Sequence, residues 1–264
     1  MDAVDWDMVN RSAAREAAQL RIQLAQMTAA SQMLERCAFD QASRGYLAAM
    51  NQGICRMLRI VGRMELCDRL GGKEAAARLE PADLGELTAG LGERMEGLLE
   101  RAGVELTVTA PEHLPARVDG GLLYQLLLEL VANAAKAGTQ VSLTLKRDGD
   151  SAVFTVGDNG PGVPAEKAPL LFGVGEEDVP DWRQGGNGVA IARRIAALHG
   201  GRLVPLCRAG RGLVVTVSIP LNRGGEDDLR CRRMEWDQGG FDEAMVGLSH
   251  LLPAEVFAPG EYEA

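Results

Sequence analysis

Histidine is scarce in this chain, and so are aromatic residues, paired cysteines and long apolar runs. Its 264 residues include three histidines, none before His113, and they are too far apart to form a metal-ligating motif, so we interpret them as structural. The five cysteines include no Cys-x-x-Cys pair, which favours reduced thiols over zinc ligands or disulfides. No apolar run approaches the roughly 20 residues of a membrane-spanning helix, and the start shows no signal-peptide pattern. We therefore expect a cytoplasmic protein without a membrane span.

The composition is that of a globular protein with an acidic balance. Hydrophobic residues make up 46% and charged residues 25%, and the formal net charge is -9 at pH 7. A chain of this length can bury one sizeable core and a smaller module. The negative charge argues against nucleic acid as a partner.

Three polar or glycine-rich segments lie at the joints of alternating helices and strands between Leu122 and Ile219. The first, Glu129–Lys136, lies on a predicted helix with an N-cap at Asp119 and a stop at Gly138. Glu129 and Asn133 are one turn apart, so a carboxylate and an amide oxygen project side by side, as Mg²⁺ prefers. The alternative is the solvated face of an amphipathic helix.

The second segment, Asp158–Gly162, ends a strand with a period-two apolar pattern. Its glycines allow sharp turns and the close approach of a ligand. Asp158 could accept a hydrogen bond from an exocyclic amine such as that of adenine. A plain turn is the alternative, because Asn-Gly-Pro-Gly is common turn chemistry.

The third segment, Gly185–Ile191, opens a predicted helix. Glycine-rich backbone at a helix N-terminus presents free N–H groups and a positive dipole end, which suit phosphate. A flexible loop is the alternative.

In this order, the segments resemble the ATP-binding domain of sensor histidine kinases and their gyrase-type and Hsp90-type relatives, over roughly Leu84 to Leu221. Gln184 departs from the pattern, because the family often has the first glycine of its final box there. The matching motifs are the N box at Glu129–Lys136, the G1 box at Asp158–Gly162, the F box at Leu171-Phe172, the lid at Gly173–Gln184 and the G2 box at Gly186–Ile191.

The resemblance implies an α/β sandwich of the Bergerat type, in which a mixed sheet has helices on one face, and it implies ATP and Mg²⁺ as cofactors. Asn133 would ligate Mg²⁺, and Asp158 would read the adenine amine. The implied catalytic residues are Glu129, which would orient or activate the attacking group, and Lys136, which would lie near phosphate. The glycines that would shape the pocket are Gly160, Gly162, Gly186 and Gly188.

The first 70 residues predict a helical hairpin, with helices at about 12–36 and 43–70. A lone hairpin cannot cover its apolar faces, so two copies are expected to pair into a four-helix bundle, that is, a homodimer. The alternative is packing onto the chain's own ATPase domain.

The hairpin resembles the dimerisation and phosphoacceptor domain of histidine kinases. Residues 46–61 are similar to its second helix, and residues 19–34 align without gaps with the segment that follows the phosphoacceptor histidine. The acceptor position then holds Ala18, and the acid, threonine and proline positions near it hold Gln19, Ile22 and Gln23. Alanine has no nucleophile, so phosphohistidine cannot form on this hairpin.

Two functional classes follow from these expectations. The chain is either a histidine-kinase-type phosphotransferase of two-component signalling that acts on a partner protein, or a scaffold that binds ATP as a conformational ligand. In the second case its dimer would dock a response-regulator-like partner.

The predicted domains are the hairpin at 1–71, the ATP-binding domain at 72–222 and an acidic extension at 223–264, with a short helical stretch at about 241–257. A further helix is predicted from about Pro81 to Arg101. The predicted strands are Val104–Thr109, Gln140–Lys146, Ala152–Gly157, Arg202–Cys207 and Gly212–Ile219.

Overall fold

A computed structural model of the chain describes residues 6–35, 40–72, 75–163, 188–207, 210, 212–221, 237–238 and 241–258. The chain divides into two units, one made of Met1–Lys73 and Trp236–Ala264 and the other of Glu74–Glu235. Within the described ranges, no helix is both long enough and apolar enough to cross a membrane.

The first unit is built on the expected helical hairpin, of helices α1 (Trp6–Glu35) and α2 (Gln41–Gly71). Helix α2 begins at an N-cap, Asp40, whose side chain accepts a hydrogen bond from Ser43 N at 2.8 Å. Arg21 on α1 and Glu65 on α2 form an ion pair, with Nε 3.0 Å from Oε1. The apolar side chains buried along the hairpin include Ala17, Leu24, Leu47, Ile54 and Val61.

The C-terminal residues of the first unit pack on α2. They form strands β8 (Asp237–Gln238) and β9 (Phe241–Asp242), helix α6 (Glu243–Leu248) and a 3-10 helix (Ala254–Phe257). Their apolar side chains are buried, namely Phe241, Met245, Leu248, Leu252, Val256 and Phe257. The sequence predicted a short helical stretch here, and the structure adds that this stretch shares a unit with the hairpin.

Three polar side chains of α2 hold this C-terminal segment through its backbone carbonyl groups. Asn51 Nδ2 donates to Phe257 O at 3.2 Å, and Asn51 Oδ1 accepts from Ser31 Oγ of α1. The other two donors act at the same surface, Gln52 Nε2 on Leu252 O at 2.8 Å and Arg56 Nε on Ser249 O at 3.3 Å. Because buried carbonyl groups need partners, these contacts make α2 specific for this segment rather than for apolar surface in general.

The second unit is the expected α/β sandwich. Its five-stranded mixed sheet has the order β2-β4-β5-β7-β6, in which β2 and β4 are parallel and the other neighbours are antiparallel. In chain order the elements are β1 (Glu80–Asp83), α3 (Leu84–Arg101), β2 (Glu105–Thr109), β3 (Pro115–Val118), α4 (Gly120–Ala137), β4 (Gln140–Asp148), β5 (Ser151–Asp158), α5 (Gly188–Leu198), β6 (Arg202–Cys207) and β7 (Leu213–Pro220).

The strand register places apolar side chains on one face of the sheet, where α3, α4 and α5 cover them. In one such row Leu145, Phe154 and Val217 are paired across β4, β5 and β7, and all three are buried. Each fully buried side chain of this kind contributes about 1.5–3 kcal/mol of transfer free energy. On the opposite face Thr144, Thr155 and Thr216 are in register and partly exposed.

The predicted helix start at Pro81 is wrong, because residues 80–83 form β1 and α3 begins at Leu84. The Asp83 side chain accepts hydrogen bonds from Gly85 N and Glu86 N, so Asp83 rather than Pro81 marks the helix start. Strand β1 pairs with β3, which the sequence did not predict. The five predicted sheet strands are confirmed to within one or two residues at each end.

The packing of the C-terminal segment on α2 predicts that Phe257→Ala weakens the first unit. Phe257 is completely buried, and removing such a ring costs about 3–5 kcal/mol. Hydrogen exchange of α2 amides, followed by mass spectrometry, should therefore become faster, because it reports on this unit separately from the sandwich.

Glu255→Ala is the matched control, since Glu255 is an exposed residue of the same 3-10 helix. It should change stability by no more than about 0.5 kcal/mol. Equal exchange of α2 in the wild type and in Phe257→Ala would contradict the packing.

Candidate functional site

Helix α4 presents Glu129 and Asn133 at the site. The Asp119 side chain caps the helix by accepting from Leu122 N at 3.0 Å, and the helix ends before Gly138, as predicted. Glu129 is 6% exposed, and Asn133 is half-buried. The amide nitrogen of Asn133 is buried and has no hydrogen-bond partner among the residues described. A polar atom of this kind marks a place where a ligand can supply the partner.

The start of α5 lies directly against this pair. A Cβ atom on residue 188 would lie 2.6 Å from Glu129 Oε2 and 2.7 Å from Asn133 Nδ2, so a larger residue than glycine does not fit. The amide groups of a helix N-terminus carry a partial positive charge. The fold thus brings the first and third sequence segments together around a carboxylate, an amide and a helix N-terminus.

Asp158 ends β5 with one carboxylate oxygen already engaged. Its Oδ1 accepts from Gly160 N at 2.8 Å and from Leu213 N at 3.4 Å. Its Oδ2 makes no hydrogen bond within the described part of the chain. The first contact fixes the carboxylate, and Oδ2 remains to accept a further donor.

The turn after Asp158 packs on the end of α4. A Cβ on Gly160 would lie 2.5 Å from Ala137 O, and Gly162 has φ of 70°, a left-handed conformation that favours glycine. Gly160 and Gly162, two of the four predicted pocket glycines, therefore each have a steric reason to be glycine. This packing joins the second sequence segment to the helix that carries the first.

The sequence interpretation missed two residues that hold this turn. Asn159 Oδ1 accepts from Thr139 N at 2.9 Å and from Gln140 N at 3.0 Å, which ties the turn to the start of β4. Gly212 has φ of 80° and is so close to the Asp158 carbonyl oxygen that a Cβ would overlap it. Gly212 was expected inside a strand, but β7 begins only at Leu213. The glycines at 210 and 212 were the sequence signal that could have indicated a turn before β7.

Among the described residues, Lys136 is a predicted site residue that is not part of this cluster. Lys136 is exposed in the last turn of α4 and makes no hydrogen bond or ion pair with the described residues. The remaining predicted positions lie outside the described residues, namely Gly185, Gly186, Leu171-Phe172 and the lid at Gly173–Gln184.

The expected acceptor position, Ala18, lies on the surface of α1. Ala18 and Gln19 are exposed, whereas the adjacent Ala17 is fully buried in the hairpin. The position therefore faces outwards, where a nucleophile would be accessible, but the side chain is a methyl group.

A second polar cluster lies at the start of α3, where ligand atoms of Asp83, Glu86 and His113 are within 4.8 Å of one another. Burial raises the pKa of Asp83, but hydrogen bonds from Leu114 N, His113 and the first amides of α3 outweigh it and lower the pKa below its usual value. The hydrogen bonds of Asp83 are those of a residue that caps the start of α3, so this cap explains why the three side chains lie together.

Comparison with known proteins identifies the family to which the residues of this site belong. Residues 118–223 match the family of histidine kinase-, DNA gyrase B- and HSP90-like ATPases. The circadian input-output histidine kinase CikA of Synechococcus elongatus is 30% identical over 219 residues, covering 76% of this chain and 28% of that protein. The adaptive-response sensory kinase SasA of Parasynechococcus marenigrum is 31% identical over 169 residues, covering 61% of this chain and 42% of that protein.

Among solved structures, full-length ShkA in complex with AMPPNP is similar with a TM-score of 0.64 and 25% identity, covering 81% of this chain and 46% of that one. The chain thus spans less than half the length of each of these relatives. The range that matches the family contains α4, β5 and α5, and with them Glu129, Asn133, Asp158 and Gly188. Residues 118–223 are therefore an ATPase domain of the histidine kinase-, DNA gyrase B- and HSP90-like family, of the type found in sensor histidine kinases.

Proposed function

We propose that the sandwich unit binds ATP or ADP with Mg²⁺ in the site between α4, α5 and the turn after β5. The observation that carries this proposal is the contact of Gly188 with Glu129 and Asn133, which places a helix N-terminus beside two potential ligand side chains. The family match and the AMPPNP complex of ShkA support the choice of nucleotide.

Asp158 is the proposed reader of adenine. Because Gly160 N holds Oδ1, Oδ2 can accept the exocyclic amine in a fixed position. Gly160 and Gly162 would allow the base to approach the backbone. Such a hydrogen bond to a charged group is worth about 1.5–3 kcal/mol.

Asn133 is the proposed protein ligand of Mg²⁺, which would neutralise phosphate charge when bound. The Asn133 side chain carries an amide oxygen suited to a hard cation, and its amide nitrogen is buried beside Gly188. Glu129 would orient or activate the attacking group. Lys136 would lie near phosphate, and Gly186 would contribute backbone amides.

We further propose that the chain is a histidine-kinase-type phosphotransferase in two-component signalling, with its phosphoacceptor in a partner protein. Ala18 supports an acceptor elsewhere, since the outward-facing position on α1 carries no nucleophile. The same observation favours the second candidate, a scaffold that binds ATP as a conformational ligand and docks a response-regulator-like protein.

The hairpin is the proposed homodimer interface, through an exposed apolar stripe on α2. Tyr46, Met50, Met57 and Ile60 follow one another at spacings that keep them on one stripe of a helix. Their exposed fractions are 80%, 38%, 41% and 56%. The C-terminal segment packs against α2 through Asn51, Gln52 and Arg56, and the four stripe residues stay exposed beside it.

Asp158→Ala should weaken the binding of Mg-ATP and of ADP by at least about tenfold, since a charged hydrogen bond to adenine is lost. Isothermal calorimetry measures the affinity. Asp148→Ala is the control, because Asp148 is an exposed acid at the end of the adjacent strand and should leave the affinity unchanged. If Asp158→Ala binds as the wild type does, Asp158 does not read adenine.

The double substitution Met50→Glu with Met57→Glu should convert a dimer into a monomer, because it places charges in the apolar seam. Light scattering of the full chain decides this, together with a shortened chain that starts near Gly72 and lacks the hairpin. Arg44→Glu, an exposed position off the stripe, should remain dimeric. The same number of chains per particle in all four proteins would rule out the hairpin as the interface.

Labelled ATP should leave no acid-labile phosphate on the hairpin of the wild-type protein. Phosphoramidate formation needs an imidazole nitrogen in line with the γ-phosphate, and the hairpin has no histidine. Label on Ala18→His would support a competent kinase whose acceptor lies elsewhere, whereas no label on that variant would favour the scaffold. Acid-labile label recovered from the hairpin of the wild-type protein would contradict this prediction.

A further inference from the structure

His199 is a buried imidazole that joins the end of α5 to the start of α4. Its side chain is 2% exposed. Its Nε2 accepts from Asp119 N at 3.0 Å, and its Nδ1 donates to Ile195 O at 2.8 Å. Because an amide N–H can only donate and a carbonyl can only accept, these two bonds require the neutral ring with its proton on Nδ1.

The residue that His199 contacts is the N-cap of α4. Both carboxylate oxygens of Asp119 are engaged, Oδ1 by Leu122 N at 3.0 Å and Oδ2 by Arg78 N at 3.1 Å. The backbone N–H of Asp119 is the group that bonds His199. The imidazole therefore holds the backbone of α4 at its first turn.

The same two helices meet a second time at the nucleotide site, where Gly188 contacts Glu129 and Asn133. Helices rise about 1.5 Å per residue, so Gly188 to His199 spans about 16 Å and Asp119 to Glu129 about 15 Å. The two spans match, and the helices run antiparallel. Both contacts form together in one axial register, and a slip by one helical turn, about 5.4 Å, would break both.

The far end of α5 is also held against the sheet. Gly200 has φ of 71°, and Gly201 lies so close to Ser218 O of β7 that a Cβ would overlap it. Since α5 cannot shift at this end without disrupting the turn, its position along α4 depends on the contacts of residues 199–201.

We propose that His199 is a positioning residue of the nucleotide site: it sets the register of α5 on α4, and thereby places the N-terminus of α5 against Glu129 and Asn133. The inference rests on the proposed nucleotide binding. It assigns no contact between His199 and the nucleotide.

Two substitutions separate the two hydrogen bonds of His199. Glutamine can place an amide oxygen where Nε2 lies, so His199→Gln can still accept from Asp119 N. Asparagine is shorter and can occupy only the Nδ1 position, so His199→Asn keeps the bond to Ile195 O and loses the bond to Asp119. The pair is therefore a matched test of the bond to Asp119.

Calorimetry with ADP and Mg²⁺ should show affinity about three- to tenfold weaker for His199→Asn and near the wild-type value for His199→Gln. Measurements at a temperature where circular dichroism shows every protein to be folded separate this effect from unfolding. In the nucleotide-free proteins, hydrogen exchange of the α5 amides should become faster in His199→Asn only.

Equal ADP affinity and equal exchange for the folded wild type and His199→Asn would overturn the inference, as would weakened binding by both variants without rescue by glutamine. A wild-type protein that binds no nucleotide would instead refute the proposed function. In that case the exchange of α5 in the nucleotide-free proteins still decides whether His199 sets the register.

Discussion

The proposed nucleotide site depends on one close approach, the contact between the first residue of α5 and two side chains of α4. Gly188 leaves no space for a Cβ between its backbone and Glu129 and Asn133. The contact brings together a buried carboxylate, an amide and a helix N-terminus, three groups with different roles toward a phosphate or a cation. If α5 were displaced along α4, the same residues would be present without forming a site.

The remaining contacts around the site keep that approach in place. The turn after β5 packs against the end of α4 through Gly160, and Asn159 bonds the start of β4. At the opposite end of the helix pair, His199 bonds the N-cap residue Asp119. Each of these bonds satisfies a backbone group at the end of an element, where no regular ladder supplies a partner.

In the helical unit, polar contacts also fix the packing of neighbouring elements, but one apolar stripe stays uncovered. Helix α2 bonds α1 and the C-terminal segment through Asn51, which accepts from Ser31 and donates to Phe257 O. A buried amide with both ends satisfied specifies its neighbours more strictly than apolar packing does. Among the described residues of the unit, the stripe around Met57 has no such partner, and it remains exposed.

Local patterns in the sequence determined much of this protein. The five sheet strands were predicted from the sequence, one of them from its alternating apolar residues, Asp119 and Gly138 marked the ends of α4, and the order of the glycine-rich segments indicated the family. The lack of any histidine before His113, with Ala18 at the aligned acceptor position, excluded a phosphohistidine on the hairpin, because that argument needs only side-chain chemistry. These features depend on residues that are close in sequence, so local sequence patterns are sufficient to predict them.

Contacts between distant residues were decided only by the tertiary structure. The pairing of β1 with β3, the close approach of Gly212 to Asp158 and the bond of His199 to Asp119 join residues about 35 to 80 positions apart, and no periodicity encodes them. The C-terminal segment reaches α2 over an even longer separation. The sequence supplied the groups that can make these contacts, and folding selected the partners because buried polar groups and close-packed backbones admit few arrangements.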